Sequence, residues 1–256
     1  MSVQPAGTWD EDPDGASILL ATGRARHDLL VIAEPALLTE VDQAWGRPDV
    51  SVRLSLLPGV SAPVSAQEED ALVSYSRDGL GVLVSRGLTR AYEGGPVPRT
   101  TALARIAAGT GVRAALLVTR ASAVGAAPGA LLAVEDHLNL TGAPLFSATA
   151  PLDAAWDTAL AERLTQVDGV SGGVVALVPG PTWPTPAESR VLGGLGADAV
   201  VMDSVAEAMT LASRGVRVTG LAYVDHAAGA QTRSVPRRSA PQVVRAAVEA
   251  VLAEVA

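Results

Sequence analysis

Residue types that bind anions or move protons recur in this sequence just after apolar, strand-like runs. Arg90, Arg120, Asp203 and the Asp225–His226 pair all have this placement. In open α/β sheets, ligands bind beyond the carboxyl ends of the strands, so the segments that follow strand-like runs are candidates for a binding cleft. The segments selected in this way are 86–92, 120–125, 179–185, 203–204 and 225–226.

The composition of the chain excludes several kinds of chemistry. There is no cysteine, which removes disulfides, thiol nucleophiles and thiolate metal sites. All 19 basic residues are arginine, so Schiff-base chemistry and the lysine of a P-loop are excluded as well. The three histidines, His27, His137 and His226, are too dispersed to predict a metal centre, and no cofactor is expected.

Charge and hydropathy bear on the partners and the location of the protein. A net charge of −8 argues against a nucleic-acid-binding surface, because neutralising phosphates requires a basic face. No apolar run reaches the roughly 18–20 residues of a membrane-spanning helix. The acidic, polar start of the chain has no secretory-signal pattern. We therefore expect a cytoplasmic protein with a small-molecule partner, no nucleic-acid or membrane partner, and a mobile tail over residues 1–26.

Apolar runs typical of buried strands alternate with helix-like segments from residue 27 to the end of the chain. This alternation indicates an α/β fold, with one domain over residues 27–256 in which helices pack on a largely parallel or mixed β-sheet. The Pro/Arg-rich stretch 227–241 is predicted to be a mobile loop inside that domain. The predicted strands cover 27–34, 50–56, 79–88, 112–121, 129–140, 172–180, 197–202 and 216–224. The predicted helices cover 98–111, 151–164, 186–194, 204–215 and 241–256.

Capping boxes mark the starts of three predicted helices. In this motif a hydroxyl and a Glu or Gln three residues later each accept a hydrogen bond from the other residue's backbone amide. Pro186 at the first helical position strengthens the first of them. The three pairs are Thr185 with Glu188, Ser204 with Glu207 and, more weakly, Ser239 with Gln242.

Four stretches of the sequence occur in an order and spacing that belong to a known family. They are YEGGPVP (92–98), EDHLNLTG (135–142), GPTWPTPAESRVLGGLGADAVVMDSVAEAMTLASRGVRV (180–218) and DHAAG (225–229). Together they resemble the trimeric purine nucleoside phosphorylases, to which the methylthioadenosine phosphorylases are related. The resemblance covers roughly residues 28–255, and the long third stretch is specific.

The resemblance implies a fold, an assembly and a reaction. The implied fold is nucleoside phosphorylase-like, a single domain with a mixed β-sheet flanked by helices in three α/β/α layers, and the implied assembly is a homotrimer. In the reaction, phosphate as co-substrate attacks the anomeric carbon of a purine nucleoside, which releases the base and ribose 1-phosphate. Such a site must hold a phosphate dianion, stabilise an oxocarbenium-like sugar and place a donor or acid at the purine.

Matching the family motifs to this sequence assigns three groups of residues, one for each part of the reaction. An aspartate at position 225 is also the substitution that is associated with a preference for 6-aminopurines in the methylthioadenosine phosphorylases. The assigned residues are Tyr92, Trp183 and Met202 for the substrate, Arg90, Arg120 and Ala121 for phosphate, and Asp225 or His226 for catalysis.

The same matching predicts a much altered site. Glu34 and Pro35 stand in the loop where the family has GSGLG, and there glutamate repels a dianion while proline lacks an amide N–H. Leu88 stands where the family has an arginine, and Asp203 stands where it has a phosphate-contacting serine. Pro184 stands where a glutamate holds the edge of the base, so that mode of base recognition is lost.

Two interpretations remain open for the arginines. In the first, Arg90 and Arg120 replace the lost phosphate donors of an active enzyme, since arginine binds phosphate through two hydrogen bonds and stays charged. In the second, a non-catalytic paralogue keeps the fold and the oligomer, and its two arginines form salt bridges with Asp203 and Glu34.

Other polar residues are weaker candidates for the site. A nucleosidase that uses water would need Asp203 or Glu34 as its base. Glu93, Asp136 and His137 are further candidates, but each is better explained by a structural role in a turn or a subunit contact.

Overall fold

One mixed β-sheet of nine strands runs through the computed structural model, which describes residues 12, 14–93, 97–142, 145, 151–227 and 239–256. The strands are β1 (Leu29–Ile32), β2 (Val50–Val52), β3 (Leu72–Arg77), β4 (Leu80–Ser85), β5 (Ala114–Ala123), β6 (Leu131–Asn139), β7 (Val170–Leu177), β8 (Ala199–Val201) and β9 (Arg217–Ala227). Their order in the sheet is β2-β3-β4-β1-β5-β8-β7-β6-β9, and β9 also pairs with β5. The strands β5, β8, β7, β6 and β9 therefore close on themselves as a barrel-like ring.

The strands that matter for the site run parallel. β1 pairs in parallel with β4 and β5, and β5 pairs in parallel with β9, so the carboxyl ends of these four strands lie at one edge of the sheet. β3 and β4 form an antiparallel hairpin whose turn residues, Asp78 and Gly79, both have positive φ. Two successive positive φ angles match the right-handed twist of the paired strands.

Helices cover both faces of the sheet. The helices are α1 (Ala16–Thr22), α2 (Pro35–Trp45), α3 (Val97–Thr100), α4 (Ala102–Gly109), α5 (Thr158–Thr165), α6 (Pro186–Gly194), α7 (Val205–Ala212) and α8 (Ala240–Ala253). Side chains of α2, α5 and α8 form one buried apolar cluster with the sheet, and side chains of α1, α4 and α7 belong to another. The predicted single α/β domain with helices around a mixed sheet is confirmed.

Several predicted elements differ from the structure. β3 and α2 were not predicted, although both have apolar residues in the core. The predicted helix 151–164 begins only at Thr158, because Asp157 caps it by accepting a hydrogen bond from the Leu160 N–H at 2.9 Å. Among the residues that the structure describes, no helix combines the length and apolar character needed to span a membrane.

The N-terminal prediction is wrong over part of its range. Residues 16–22 of the predicted mobile tail form α1, whose Ile18 is buried in the core. The Thr22 hydroxyl also lies 3.1 Å from Nε2 of the buried His27, which joins the helix to the start of the sheet. Residues 1–11 of the predicted tail and 228–238 of the predicted mobile loop lie outside the described residues.

The three predicted capping boxes are not all present in the structure. The Thr185–Glu188 box is present, with the Thr185 N–H donating to Glu188 at 2.7 Å and the Glu188 N–H donating to Thr185 Oγ1 at 3.3 Å. Gln242 accepts from the Ser239 N–H at 3.1 Å. The Ser204 hydroxyl does not cap α7 but donates to Asp203 Oδ1 at 3.0 Å. The side chain of Ser204 is thus used to hold Asp203.

Candidate functional site

A cleft of about 300 Å³ opens at the carboxyl edge of the parallel strands. It has a charged end, which we define by Arg90, Arg120 and the carboxylates bound to them, and an aromatic end, which we define by Tyr92, Trp183, Met202 and His226. The residues that line the cleft are Ser65, Gln67, Arg90, Tyr92, Arg120, Pro181, Trp183, Met202, Asp203, Asp225 and His226.

Arg90, which follows β4, is bound by carboxylates on several sides. Its Nε donates to Asp203 Oδ2 at 2.9 Å, and another guanidinium nitrogen forms an ion pair with Glu68. Glu93 lies 3.9 Å away on a third side. Burial alone would lower the pKa of Arg90, but the charges of Asp203 and Glu68 outweigh it and raise that pKa above the ordinary value. Arg90 therefore stays charged, and its guanidinium group is bonded to Asp203 and Glu68.

Arg120 is held in the same manner from within β5. Its Nε donates to Glu34 Oε2 at 2.7 Å, a second nitrogen bonds the other Glu34 oxygen, and a third bonds Asp225. Glu34 is positioned as the residue that precedes α2. The hydrogen bonds to Glu34 are the main reason that the pKa of Arg120 is raised. The planar guanidinium thus bridges β1 and β9.

Asp203, which follows β8, is the centre of the charged end. Besides Arg90, its carboxylate accepts hydrogen bonds from the hydroxyls of Thr119 and Ser204. Ser204 has φ of +71°, which a residue with a side chain rarely adopts, and this conformation directs its hydroxyl back to Asp203. Asp203 is therefore fixed by three separate donors.

The balance of charge at this end is negative. Two guanidinium groups face four directly bonded carboxylates, those of Glu34, Glu68, Asp203 and Asp225. Glu207 of α7 lies behind them, and burial together with the charge of Asp203 raises its pKa to about 8. Glu207 is accordingly mostly protonated at neutral pH. An external anion meets a site whose positive charge is already neutralised.

The aromatic end contrasts with this arrangement. The rings of Trp183 and His226 stack with a centroid separation of 5.5 Å and an interplanar angle of 17°. Tyr92 and Met202 approach Gly180 closely, so that a Cβ at position 180 would lie 2.7 Å from Tyr92 Cδ1 and 2.8 Å from Met202 Sδ. Glycine avoids this clash, and it also adopts readily the φ of +69° found at position 180.

Most of the predicted site residues meet in the cleft, but some do not. Ala121 is buried in β5, where it pairs with Val224, and it does not line the cleft. Pro184 lines a separate, mostly apolar groove of about 460 Å³ beside α6. His137 accepts a hydrogen bond from Trp156 Nε1 at 3.1 Å, away from the cleft, which agrees with a structural role.

Sequence reasoning missed the contribution of the irregular segment 57–71 between β2 and β3. Ser65 and Gln67 line the cleft, and Glu68 pairs with Arg90 across 22 positions of the chain. No local pattern marks such a contact. In the described part of the chain, no three His, Asp or Glu side chains are grouped so as to hold a metal ion.

Comparisons with known proteins identify the family of the chain. Residues 66–256 match the family model described as the phosphorylase superfamily. The purine nucleoside phosphorylases of Mycobacterium tuberculosis and Mycobacterium bovis are each 33% identical over 216 residues, which is 82% of this chain and 80% of theirs. That of Bacillus subtilis is 33% identical over 184 residues, 65% of this chain and 68% of its own.

Solved structures show the same fold. The crystal structure of the purine nucleoside phosphorylase from Schistosoma mansoni in complex with acetate superposes with a TM-score of 0.79, at 19% identity and over 94% of both chains. The fold and the sequence together define a phosphorylase-superfamily protein. Within that superfamily, the chain belongs to the purine nucleoside phosphorylase family.

Proposed function

We propose that this purine nucleoside phosphorylase-like protein binds a purine nucleoside in the cleft, without turning it over by efficient phosphorolysis. The observation that carries the proposal is the contrast between the two ends. The aromatic end has ring faces that line the open cleft, whereas at the charged end the arginines are already bonded to carboxylates of the protein itself.

The nucleoside part of the proposal rests on Trp183, Tyr92 and Met202. Purine rings stack on aromatic side chains, and the ribose of a stacked nucleoside would then reach toward Tyr92 and Met202. Asp225 and His226 both line the cleft, and one carboxylate oxygen of Asp225 is bonded to Arg120. The other oxygen of Asp225 could accept a hydrogen bond from an exocyclic amine, which favours a 6-aminopurine.

The absence of efficient phosphorolysis follows from the ion pairs. Phosphate would have to displace Asp203 and Glu68 from Arg90, or Glu34 and Asp225 from Arg120. A displaced carboxylate would stay close to the incoming dianion and repel it. Breaking a buried ion pair is costly, since the remaining charge loses its partner.

Phosphorolysis itself is the second candidate function. It is favoured by the 33% identity with named purine nucleoside phosphorylases and by the two guanidinium groups that line the cleft. In that case Arg90 and Arg120 would exchange carboxylates for phosphate, and Asp225 or His226 would act at the purine.

One assay separates the two functions. Ribose 1-phosphate and free ribose are measured after incubation with inosine, adenosine or methylthioadenosine, with and without phosphate, together with the thermal unfolding midpoint. We expect a nucleoside to raise the midpoint and neither product to form.

Other outcomes of the assay have definite meanings. Phosphate-dependent ribose 1-phosphate that disappears in Arg90→Ala and Arg120→Ala, but not in the surface control Arg245→Ala, would establish phosphorolysis instead. Free ribose in the absence of phosphate would indicate hydrolysis. The predicted homotrimer and cytoplasmic location stay proposals from the sequence, and the molar mass in solution tests the first of them.

A further inference from the structure

Glu68 reaches into the charged end of the cleft from the irregular segment 57–71. Its side chain is only 3% exposed, although its neighbours Ser65 and Gln67 line the open cleft. One carboxylate oxygen forms the ion pair with Arg90, and the other accepts a hydrogen bond from the Leu88 N–H at 2.7 Å. Both oxygens of this carboxylate are thus bound at the end of the cleft.

Arg90 borders two spaces, the open cleft on one side and a small cavity on the other. Behind the open cleft, Arg90, Arg120, Glu34, Glu68 and Asp203 surround a cavity of about 20 Å³. A cavity of that size holds roughly one water molecule. A tetrahedral oxyanion needs more space than this cavity offers, so it can bind on that side of Arg90 only if one of the carboxylates leaves.

Of these carboxylates, Glu68 is the one best placed to keep an oxyanion away from Arg90. Asp203 is also fixed by Thr119 and Ser204, and Glu34 is bound to Arg120 rather than to Arg90. Glu68, by contrast, comes from an irregular segment and is held by Arg90 and one backbone amide. Burial raises the pKa of the Glu68 carboxyl and Arg90 opposes that rise, so the ion pair with Arg90 is what favours its charged form.

We propose that Glu68 acts as an internal anion that occupies the oxyanion position beside Arg90 and thereby excludes phosphate and sulfate from the cleft. Its carboxylate supplies two oxygens and a negative charge, as a bound oxyanion would. The inference rests on the proposed function, because it names the residue that lets the cleft take a nucleoside without phosphate.

The adjacent Glu69 provides a matched control. It is also a glutamate of the same segment, but it is half exposed and pairs with Arg86, outside the cleft lining. Glu68→Gln removes the charge and keeps an oxygen acceptor for the Leu88 N–H. Glu68→Ala also removes the volume, and Glu69→Gln changes the charge of the segment without touching Arg90.

The experiment measures the affinity of inorganic phosphate and of sulfate for the wild-type protein and the three variants by calorimetry, with thermal unfolding as a second readout. We expect no detectable phosphate binding by the wild type, and binding by Glu68→Ala at least about tenfold tighter than the detection limit that the wild type sets, since Arg90 regains a free charged donor. Glu68→Gln should show a smaller gain, because its amide still fills the space, and Glu69→Gln should show none.

Each contrary result has one meaning. If both Glu68 variants bind phosphate no better than Glu69→Gln while adenosine still raises their unfolding midpoints, the assignment of Glu68 is wrong and the proposed function stands. If the wild-type protein itself binds phosphate, the proposed function is wrong. If Glu68→Ala does not fold, Glu68→Gln alone decides, and no gain in that variant overturns the assignment.

Discussion

The charged and the aromatic ends of the cleft differ in whether their groups already have bonding partners in the absence of a ligand. At the charged end, each guanidinium is bonded to at least two carboxylates. The carboxylate of Asp203, at the centre, accepts hydrogen bonds from three side chains. At the aromatic end, Trp183 stacks on His226 in an open cleft. A ligand gains little from groups that are already paired, whereas it gains from apolar faces that still contact solvent.

The largest expected effect concerns the stability of the charged end. Arg90→Ala leaves the buried carboxylates of Glu68 and Asp203 without their common partner. We expect the free energy of unfolding to fall by about 3–5 kcal/mol, as is typical when one side of a buried ion pair is removed. Denaturant unfolding measures this loss.

A surface ion pair is the control for this variant. Arg245 pairs with Glu249 on α8, and both side chains are more than 40% exposed. Arg245→Ala should change the stability by less than about 0.5 kcal/mol. Equal losses in the two variants would contradict the view that the charged end is held together by its own ion pairs.

A smaller effect is expected from Glu207, behind the charged end. Burial raises its pKa to about 8, so between about pH 4.5 and pH 8 the folded protein keeps a proton that the unfolded chain has released. Unfolding then releases a proton, and this contribution lowers the free energy of unfolding as the pH rises through that window. Glu207→Gln should remove a few kcal/mol of this pH dependence, as measured by denaturant unfolding at several pH values.

The matched control is the half-exposed Glu249, whose substitution by glutamine should leave the pH dependence unchanged. If wild type and Glu207→Gln lose stability in parallel between pH 4.5 and pH 8, Glu207 does not carry the proton.

The smallest expected effect is at the aromatic end and concerns binding. Trp183→Ala should weaken adenosine binding by roughly 1–3 kcal/mol, the usual contribution of stacking between a base and an aromatic side chain. Trp183→Phe keeps a ring and should recover most of the affinity. Calorimetric titration measures both variants, and full affinity in Trp183→Ala would place the base elsewhere.

The sequence allowed the position of the cleft to be predicted better than its chemistry. The rule that ligands bind beyond strand ends selected the segments that carry Arg90, Trp183 and Asp225, and these residues do line one cleft. It could not predict that Glu68 pairs with Arg90, because that contact depends on the path of an irregular segment. A charged side chain in a sequence does not reveal which partner satisfies it.

The prediction of helices and strands failed where the local sequence pattern was weak or where contacts between distant residues decided the structure. The strand β3 precedes the Asp78–Gly79 turn, and an Asp-Gly pair between two apolar runs is a strong signal for a hairpin. The short helix α1 directly follows the polar, acidic start of the chain, and a single buried residue, Ile18, joins it to the core. The closure of the sheet by the β5–β9 pairing involves residues about 100 positions apart and has no local pattern.

The central claim is that the aromatic end binds a nucleoside while the charged end excludes phosphate. The most direct measurement is calorimetric titration of adenosine and of inosine into the wild-type protein, in phosphate-free buffer and in the presence of phosphate. The account predicts binding of at least one nucleoside with the same dissociation constant in both buffers, and no heat from phosphate alone. Binding of phosphate by itself, or nucleoside binding that appears only when phosphate is present, would contradict it.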